Sequence, residues 1–288
     1  KDTPMPEPLI NWLNAQQESM LSLMADLVNI DSNSFDKAGV DKVAARLRVF
    51  FDNHRIPYDT IPLTDHGDAL RAVVSGGDGN KPILLCGHRD TVFATGEVEK
   101  RPFSTRDGKA FGPGVADMKP GLVINAFILA AFHKFGGHPN PLIGLFTGDE
   151  EIGSPSSKDI IIAEAEKARL AFNSEPSRPS GNIVTQRKGG IFCHCAIKGV
   201  AAHSGGFFTE GRSAIQELAH KIQALHELTD LERGTTINVG LVRGGQSVNT
   251  VAAEASCDID IRYQDTAERD DILTCLLYTS PSPRDKTV

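Results

Sequence analysis

The chain has 288 residues, 40% of them apolar, enough for one large domain or two of ordinary size. Its formal charge of −7, with no basic stripe to offset it, excludes a nucleic-acid or acidic-membrane partner on electrostatic grounds. No apolar run approaches the roughly 18 residues of a membrane-spanning helix. Five scattered cysteines do not read as a disulfide framework and favour a reducing, cytoplasmic compartment. The chain starts at Lys1 with neither an initiator methionine nor a basic and apolar leader pattern, so a leader already removed stays compatible with it.

In chain order, Trp12, Leu13, Leu21, Met24, Leu27 and Val28 fall at helical spacing and predict an amphipathic helix over 8–29. Val40, Val43, Ala44, Leu47, Phe50 and Phe51 predict a second. Strand-like runs follow at 58–63, 69–74 and 82–86, then an apolar helix over 122–135 and strands at 142–147 and 170–172. This alternation predicts an α/β fold with a mostly parallel sheet flanked by helices. A Pro/Ser/Gly stretch at 176–181 reads as an interdomain connection. The segments beyond it run strand, helix, strand, strand, helix, an α+β unit one strand short of a ferredoxin-like domain. The expected organisation is therefore a first domain over 1–188, a second over 189–276 and a non-native tail over 277–288, where two prolines end the helical pattern.

The apolar run at 83–86 reads as a strand buried on both faces, and it ends in His88-Arg89-Asp90. Two residues apart in extended chain, His88 and Asp90 point the same way, so the carboxylate can orient the imidazole of a metal ligand; the alternative is a capped strand end with two solvated polar groups. The strand at 142–147 ends in Gly148-Asp149-Glu150-Glu151, and the run at 170–172 ends in Ser174-Glu175. Asp117 sits in a glycine-rich loop before the 122–135 helix. Each acid has an ordinary structural explanation taken singly, but the carboxyl ends of parallel strands share one crevice, where a histidine and several carboxylates suit one or two Zn²⁺, Co²⁺ or Mn²⁺ ions. One of the neighbouring acids Glu150 and Glu151 could bind metal while the other takes a proton; the residues alone leave open which. Cys193-His194-Cys195 is not read as a metal site, because strand alternation sends His194 to the face opposite both cysteines.

Four motifs, Gly87-His88-Arg89-Asp90-Thr91-Val92, Gly112-Pro113-Gly114-Val115-Ala116-Asp117-Met118-Lys119, Gly148-Asp149-Glu150-Glu151-Ile152-Gly153 and Ser174-Glu175-Pro176, resemble in order and spacing those of the di-zinc exopeptidases and deacylases. That family includes glutamate carboxypeptidase, acetylornithine deacetylase, succinyl-diaminopimelate desuccinylase and aminoacylase, and Phe93 with residues 102–103 and 107–114 is most similar to the glutamate-carboxypeptidase branch. The resemblance implies that His88 and Glu175 bind one zinc, Glu151 the other, and that Asp117 bridges them. It implies Asp90 as the partner of His88 and Glu150 as the general base. The resemblance makes 1–188 part of the catalytic metal-binding domain and 189–276 a truncated lid, in which His203 matches a histidine that reaches a partner's active site to stabilise the oxyanion, in a homodimer formed through the lid. Asn249 and Arg262 match positions that hold the substrate carboxylate, although a surface arginine at a strand end is the plain alternative for Arg262.

The implied activity is metal-dependent hydrolysis of an amide bond in a small peptide or N-acyl amino acid. Members of the family continue for about a hundred further residues that complete the first domain's sheet and supply a last histidine to the Glu151-bound ion. This chain is therefore expected to be a fragment whose second metal lacks a ligand. The competing expectation is a non-catalytic, dimerising peptide binder that uses only the lid, against which the presence of Glu150 counts. A third, a redox or structural zinc protein through the cysteines, is weakened by the opposed faces of 193–195.

Overall fold

The computed structural model describes residues 7–77 and 79–278, so the expected tail from 279 onward lies outside the described residues. Contact density divides the chain into two compact units, Lys1–Gly181 and Asn182–Val288. No helix among the described residues is long and apolar enough to cross a membrane.

The first unit opens with α1 (Glu7–Asn14) and α2 (Gln17–Val28), where periodicity predicted a single helix. The helical spacing continues across Ala15 and Gln16, but the backbone turns there, with the Ala15 and Gln16 N–H groups bonded back to the 11–13 carbonyls. Next come α3 (Lys37–His54), β1 (Tyr58–Ile61), β2 (Ala69–Val74) and β3 (Ile83–His88). After them run α4 (Glu97–Lys100), a hairpin of β4 (Ser104–Arg106) and β5 (Lys109–Phe111), α5 (Lys119–Lys134), β6 (Leu142–Thr147), a 3₁₀ turn (Glu150–Ile152), α6 (Lys158–Lys167) and β7 (Leu170–Asn173).

The main sheet has the order β1-β2-β6-β3-β7; β6, β3 and β7 pair in parallel, and β2 alone runs against the rest. One face is covered by α2, α3 and α5 through a core that includes Leu27, Leu47, Phe51, Leu70, Phe127 and Phe146, all essentially inaccessible. At about 25 cal/mol per Å² of apolar surface, burial of this order supplies the main drive to fold the unit. The opposite face carries a small cluster of Leu84, Ile143 and Leu145 beneath α6. Among the described residues no strand pairs with the outer edge of β7, whose Leu170 and Phe172 are each 51% exposed.

The second unit comprises β8 (Gly189–Lys198), α7 (Ala214–Glu227), β9 (Thr236–Gly244), β10 (Glu254–Tyr263) and α8 (Thr266–Tyr278). Its antiparallel sheet has the order β8-β10-β9, the arrangement of the first three strands of a ferredoxin-like domain. Side chains along β8 alternate strictly: Cys193 and Cys195 turn toward the core formed with α7 and α8, while His194 is exposed and pairs with Asp258 at 2.6 Å. β10 starts at Glu254 rather than at the expected residue 250: Thr250 and Val251 pair with the 202–203 backbone, and the Ala252 and Ala253 carbonyls accept the Ala214 and Gly199 N–H groups.

Candidate metal and active site

Three parallel strands end side by side in the first unit, and each delivers part of a cluster. β3 ends in His88, β6 leads into the Glu150–Ile152 turn, and β7 leads to Glu175. Asp117 arrives from the loop before α5, through a cis peptide to Met118. Helix α5 has to approach closely for this. A β-carbon at Gly121 would overlap the Ser174 carbonyl oxygen and the Met118 side chain, so only glycine lets the helix start against the strand end that carries Glu175.

His88 is buried, and its two ring nitrogens face different partners. Nδ1 meets the Asp90 carbonyl at 3.0 Å and the Asp90 carboxylate at 3.3 Å, so this nitrogen bears the proton and Nε2 is left to the site. Nε2 lies 3.2 Å from Asp117, 3.5 Å from Glu175 and 3.7 Å from Glu150. Two overlapping sets, His88 with Asp117 and Glu151, and His88 with Glu150 and Glu175, each bring ligand atoms within 4.8 Å of one another.

Asp90 is fully buried and saturated. Its oxygens accept the Ser34 hydroxyl at 2.7 Å and the backbone N–H groups of Glu150 and Glu151 at 3.2 and 3.1 Å, besides facing His88. Burial works against its charge, yet the hydrogen bonds from His88 and Ser34 outweigh that and hold its pKa below the ordinary aspartate range. It is an orienting carboxylate with no lone pair left over for an ion.

The cluster itself is electrostatically crowded. Burial, then the charges of neighbouring carboxylates, push Asp117 and Glu150 up and raise Glu151 to about 7. Burial opposes the imidazolium of His88, but Asp90 and Glu175 more than compensate and raise it to about 11. Several acids competing for one proton on one imidazole is what a metal-binding set looks like without its cation, and the hard oxygen and imidazole donors fit Zn²⁺, Co²⁺ or Mn²⁺.

Three supporting residues were missed from sequence. Asp149, buried beside Glu150, accepts the Ser156 and Ser157 N–H groups at 2.7 and 3.1 Å and so shapes the loop after the glutamates. Its place inside the quoted motif was the available signal. Asn125 spans from the Cys86 carbonyl to the Ser174 hydroxyl, tying β3 to the end of β7 through α5. Ser34 has no sequence signal at all, since it reaches Asp90 from 56 residues away. Arg89, wholly buried between the two site residues, points away from the cluster and donates to the Val40 and Asp68 carbonyls, bracing the strand end from behind.

His203, Asn249 and Arg262 belong to the second unit. His203 bridges Thr250, and the Asn249 carbonyl accepts the Ser204 N–H at 3.0 Å, so the first two sit together at one tip. Arg262 lies at the far end of β10, about 25 Å from Glu254 at roughly 3.3 Å per residue. There it is partly exposed, salt-bridged to Asp260 at 2.9 Å and stacked over Phe192. One copy of this unit does not bring Asn249 and Arg262 to the same carboxylate.

A buried His–Asp pair and convergent carboxylates thus meet at the strand ends of an α/β sheet, in a chain that continues into a ferredoxin-like unit. Residues 185–276 match the peptidase dimerisation domain of the M20 peptidases. The chain is 28% identical over 253 residues to carboxypeptidase G2 of Pseudomonas sp. (strain RS-16), covering 86% of this chain and 60% of that protein. It is 29% identical over 255 residues to the acetylornithine deacetylase of Myxococcus xanthus, covering 81% and 64%. Its fold is similar to that of an M20 family metallo-carboxypeptidase from Sulfolobus solfataricus, with a TM-score of 0.72 at 18% identity over 91% of this chain and 75% of the other. The chain is thus similar in sequence to a carboxypeptidase and to a deacetylase, in line with the resemblance of its four motifs. It spans about 60% of the length of the curated relatives it matches.

Proposed function

We propose that this chain carries the larger part of a metal-dependent amide hydrolase acting on small peptides or N-acyl amino acids. One observation supports the reading above others: His88 Nε2 faces Asp117, Glu150 and Glu175 within 3.7 Å while its other nitrogen is held by Asp90. A binding module has no use for so many acids crowded around one buried imidazole.

In this reading His88, Asp117, Glu151 and Glu175 would hold two zinc ions, with Glu150 left as the base. Bound ions supply Lewis-acid polarisation of the scissile carbonyl and ease deprotonation of the attacking water. Glu150, whose pKa is raised by burial and its acidic neighbours, takes that proton on its carboxylate and returns it to the departing nitrogen. Asp90 keeps His88 in one tautomer and holds the backbone of both glutamates. His203 and Asn249 act from the tip of the second unit, and Arg262 acts as a carboxylate clamp from its other end, so a homodimer through this unit would draw them from different copies.

Elemental analysis after zinc loading tests the metal assignment, and hydrolysis of N-acyl amino acids and dipeptides by the chain, alone and extended with the continuation of its reading frame, tests the activity. Zinc bound by the chain and lost in His88→Ala, with metal-dependent hydrolysis by the extended protein, is the expected result. No zinc in either form would overturn the proposal. The dimerising peptide-binder reading would then be favoured.

A further inference from the structure

We propose that Cys195 and Cys257 are a reversible dithiol pair, which a low-molecular-weight disulfide oxidises to a bond that staples β8 to β10 inside the second unit. The inference concerns this unit's own chemistry and does not rest on the amide-hydrolase reading.

The ladder brings the pair together. In the antiparallel register of β8 and β10, Cys195 lies directly opposite Cys257, and both side chains turn into the core formed with α7 and α8. The two thiols hydrogen-bond to each other. Opposed residues of an antiparallel pair have Cα atoms about 4.5–5.5 Å apart, inside the roughly 4.4–6.8 Å that a disulfide spans. On the next rung, His194 Nδ1 meets Asp258 at 2.6 Å on the opposite face, so the register that opposes the thiols is also held from the other side of the sheet.

Cys193 faces the same core but is not so placed, since it lies opposite Ile259. It stands two residues from Cys195 along extended chain, about 6.6 Å, and diagonal to Cys257, about 7–8 Å. Disulfide-linked β-carbons lie about 3.5–4.5 Å apart, so neither separation is bridged without moving backbone.

Exposure sets the order of events. Cys257 is 0% exposed on the central strand, and burial, then the neighbouring Cys195, push its thiol up to about 11. Cys195 is only partly buried, on a strand whose other edge pairs with no strand among the described residues. The first attack is therefore made by Cys195. Its thiolate bonds to one sulfur of the small disulfide, whose S–S bond breaks, and the small thiolate that leaves takes up the proton Cys195 lost. Cys257 then attacks Cys195 Sγ in the mixed disulfide, and its proton goes to the second departing thiolate. Two protein thiols are oxidised to one disulfide while the small disulfide is reduced to two thiols. The bond must draw the β-carbons in from the about 4.5–5.5 Å of a cross-strand pair, so excess small thiol reopens it readily. While closed, it joins residues 195 and 257 around α7 and β9 and restricts the unfolded chain.

The test is to incubate the 288-residue chain with oxidised glutathione, block the remaining thiols, digest with trypsin without reductant and map the products by mass spectrometry. Peptides 189–198 and 244–262, joined and two hydrogens lighter than their sum, are expected in the unmodified chain and in Cys193→Ala, and are absent in Cys195→Ala and Cys257→Ala. The oxidised chain should melt about 5 °C or more above the reduced one, and dithiothreitol or Cys195→Ala should abolish the difference. Cys195→Ala is the deciding variant, because its partly buried site tolerates truncation where Cys257→Ala opens the centre of the sheet. A link that survives in Cys195→Ala, a link lost in Cys193→Ala, glutathione adducts without a link, or thiols left unreacted would each overturn the proposal. So would a linked chain that melts no higher than the reduced one.

Discussion

The Asp90 carboxylate accepts the backbone N–H of Glu150 at 3.2 Å, so the group that orients the His88 imidazole also fixes the backbone of the proposed base beside it. Under the proposed function, metal affinity and proton transfer would be coupled through one side chain. Asp90→Asn exchanges an acceptor for a donor and should weaken zinc binding by about 10–100-fold, the usual effect of losing the partner of a ligating histidine. Asp90→Ala leaves the Ser34 hydroxyl and two amides short of an acceptor and should cost about 3 kcal/mol of stability or more. Zinc titration and urea unfolding of the two variants check this, and an Asp90→Ala chain of unchanged stability would contradict the network described.

Glu150→Gln separates binding from chemistry. With the carboxylate of Glu151 still in place beside His88 and Asp117, zinc content should hold at more than half its starting value. The extended enzyme should lose about 10²–10⁴-fold in kcat, the typical contribution of a general base. Loss of metal together with rate would instead make Glu150 a ligand.

Gly121→Ala places a methyl group against the Ser174 carbonyl and Met118. Helix α5 must then withdraw from the end of β7, carrying the Asp117 loop away from Glu175. The variant should gain helix propensity yet lose stability by about 1–3 kcal/mol, the usual cost of overpacking, and lose zinc affinity with it. Calorimetry with and without zinc reads both effects.

The crowded acids give the metal-free chain a definite pH response. Glu151 rises from 4.5 to about 7 on folding, so its contribution to stability is complete below pH 4.5 and lost as pH climbs through 7. His88 rises from 6.5 to about 11, so its contribution is complete below 6.5 and lost toward 11. Both slopes have the same sign. Asp90, lowered from 3.8, runs the other way and destabilises the fold only on acidification below that value. The melting temperature of the metal-free chain should therefore fall from pH 5 to pH 8. Glu151→Gln should flatten the part of that slope below pH 7, and zinc should restore stability at pH 8, where both effects can be followed by circular dichroism.

Much of this site could be read before any coordinates. The β3 run was legible because a strand buried on both faces carries no polar residue until its end, and His88-Arg89-Asp90 marked that end. Glu150, Glu151 and Glu175 were legible as acids following two more such runs. The supports were not. Ser34 reaches Asp90 across 56 residues, a distance no periodicity spans, and the break between α1 and α2 leaves the helical phase of the apolar residues nearly intact. The separation of Asn249 from Arg262 was hidden for a different reason. Thirteen residues apart in sequence looks close, but nine of the residues involved lie in one extended strand, and extension converts a short sequence interval into a long distance.

The edge of β7, with which no strand pairs among the described residues, bears on how this chain is handled at the bench. Four residues of open backbone flanked by half-exposed Leu170 and Phe172 form a short adhesive template, on which concentrated chains can stack into oligomers unrelated to any dimer made by the second unit. Arg169 just before the strand and Glu175 just after it are the gatekeeping charges that oppose such stacking. Since the second of these is also a proposed zinc ligand, filling the site would neutralise part of that protection, and turbidity on adding zinc to concentrated chain would be a colloidal event at this edge.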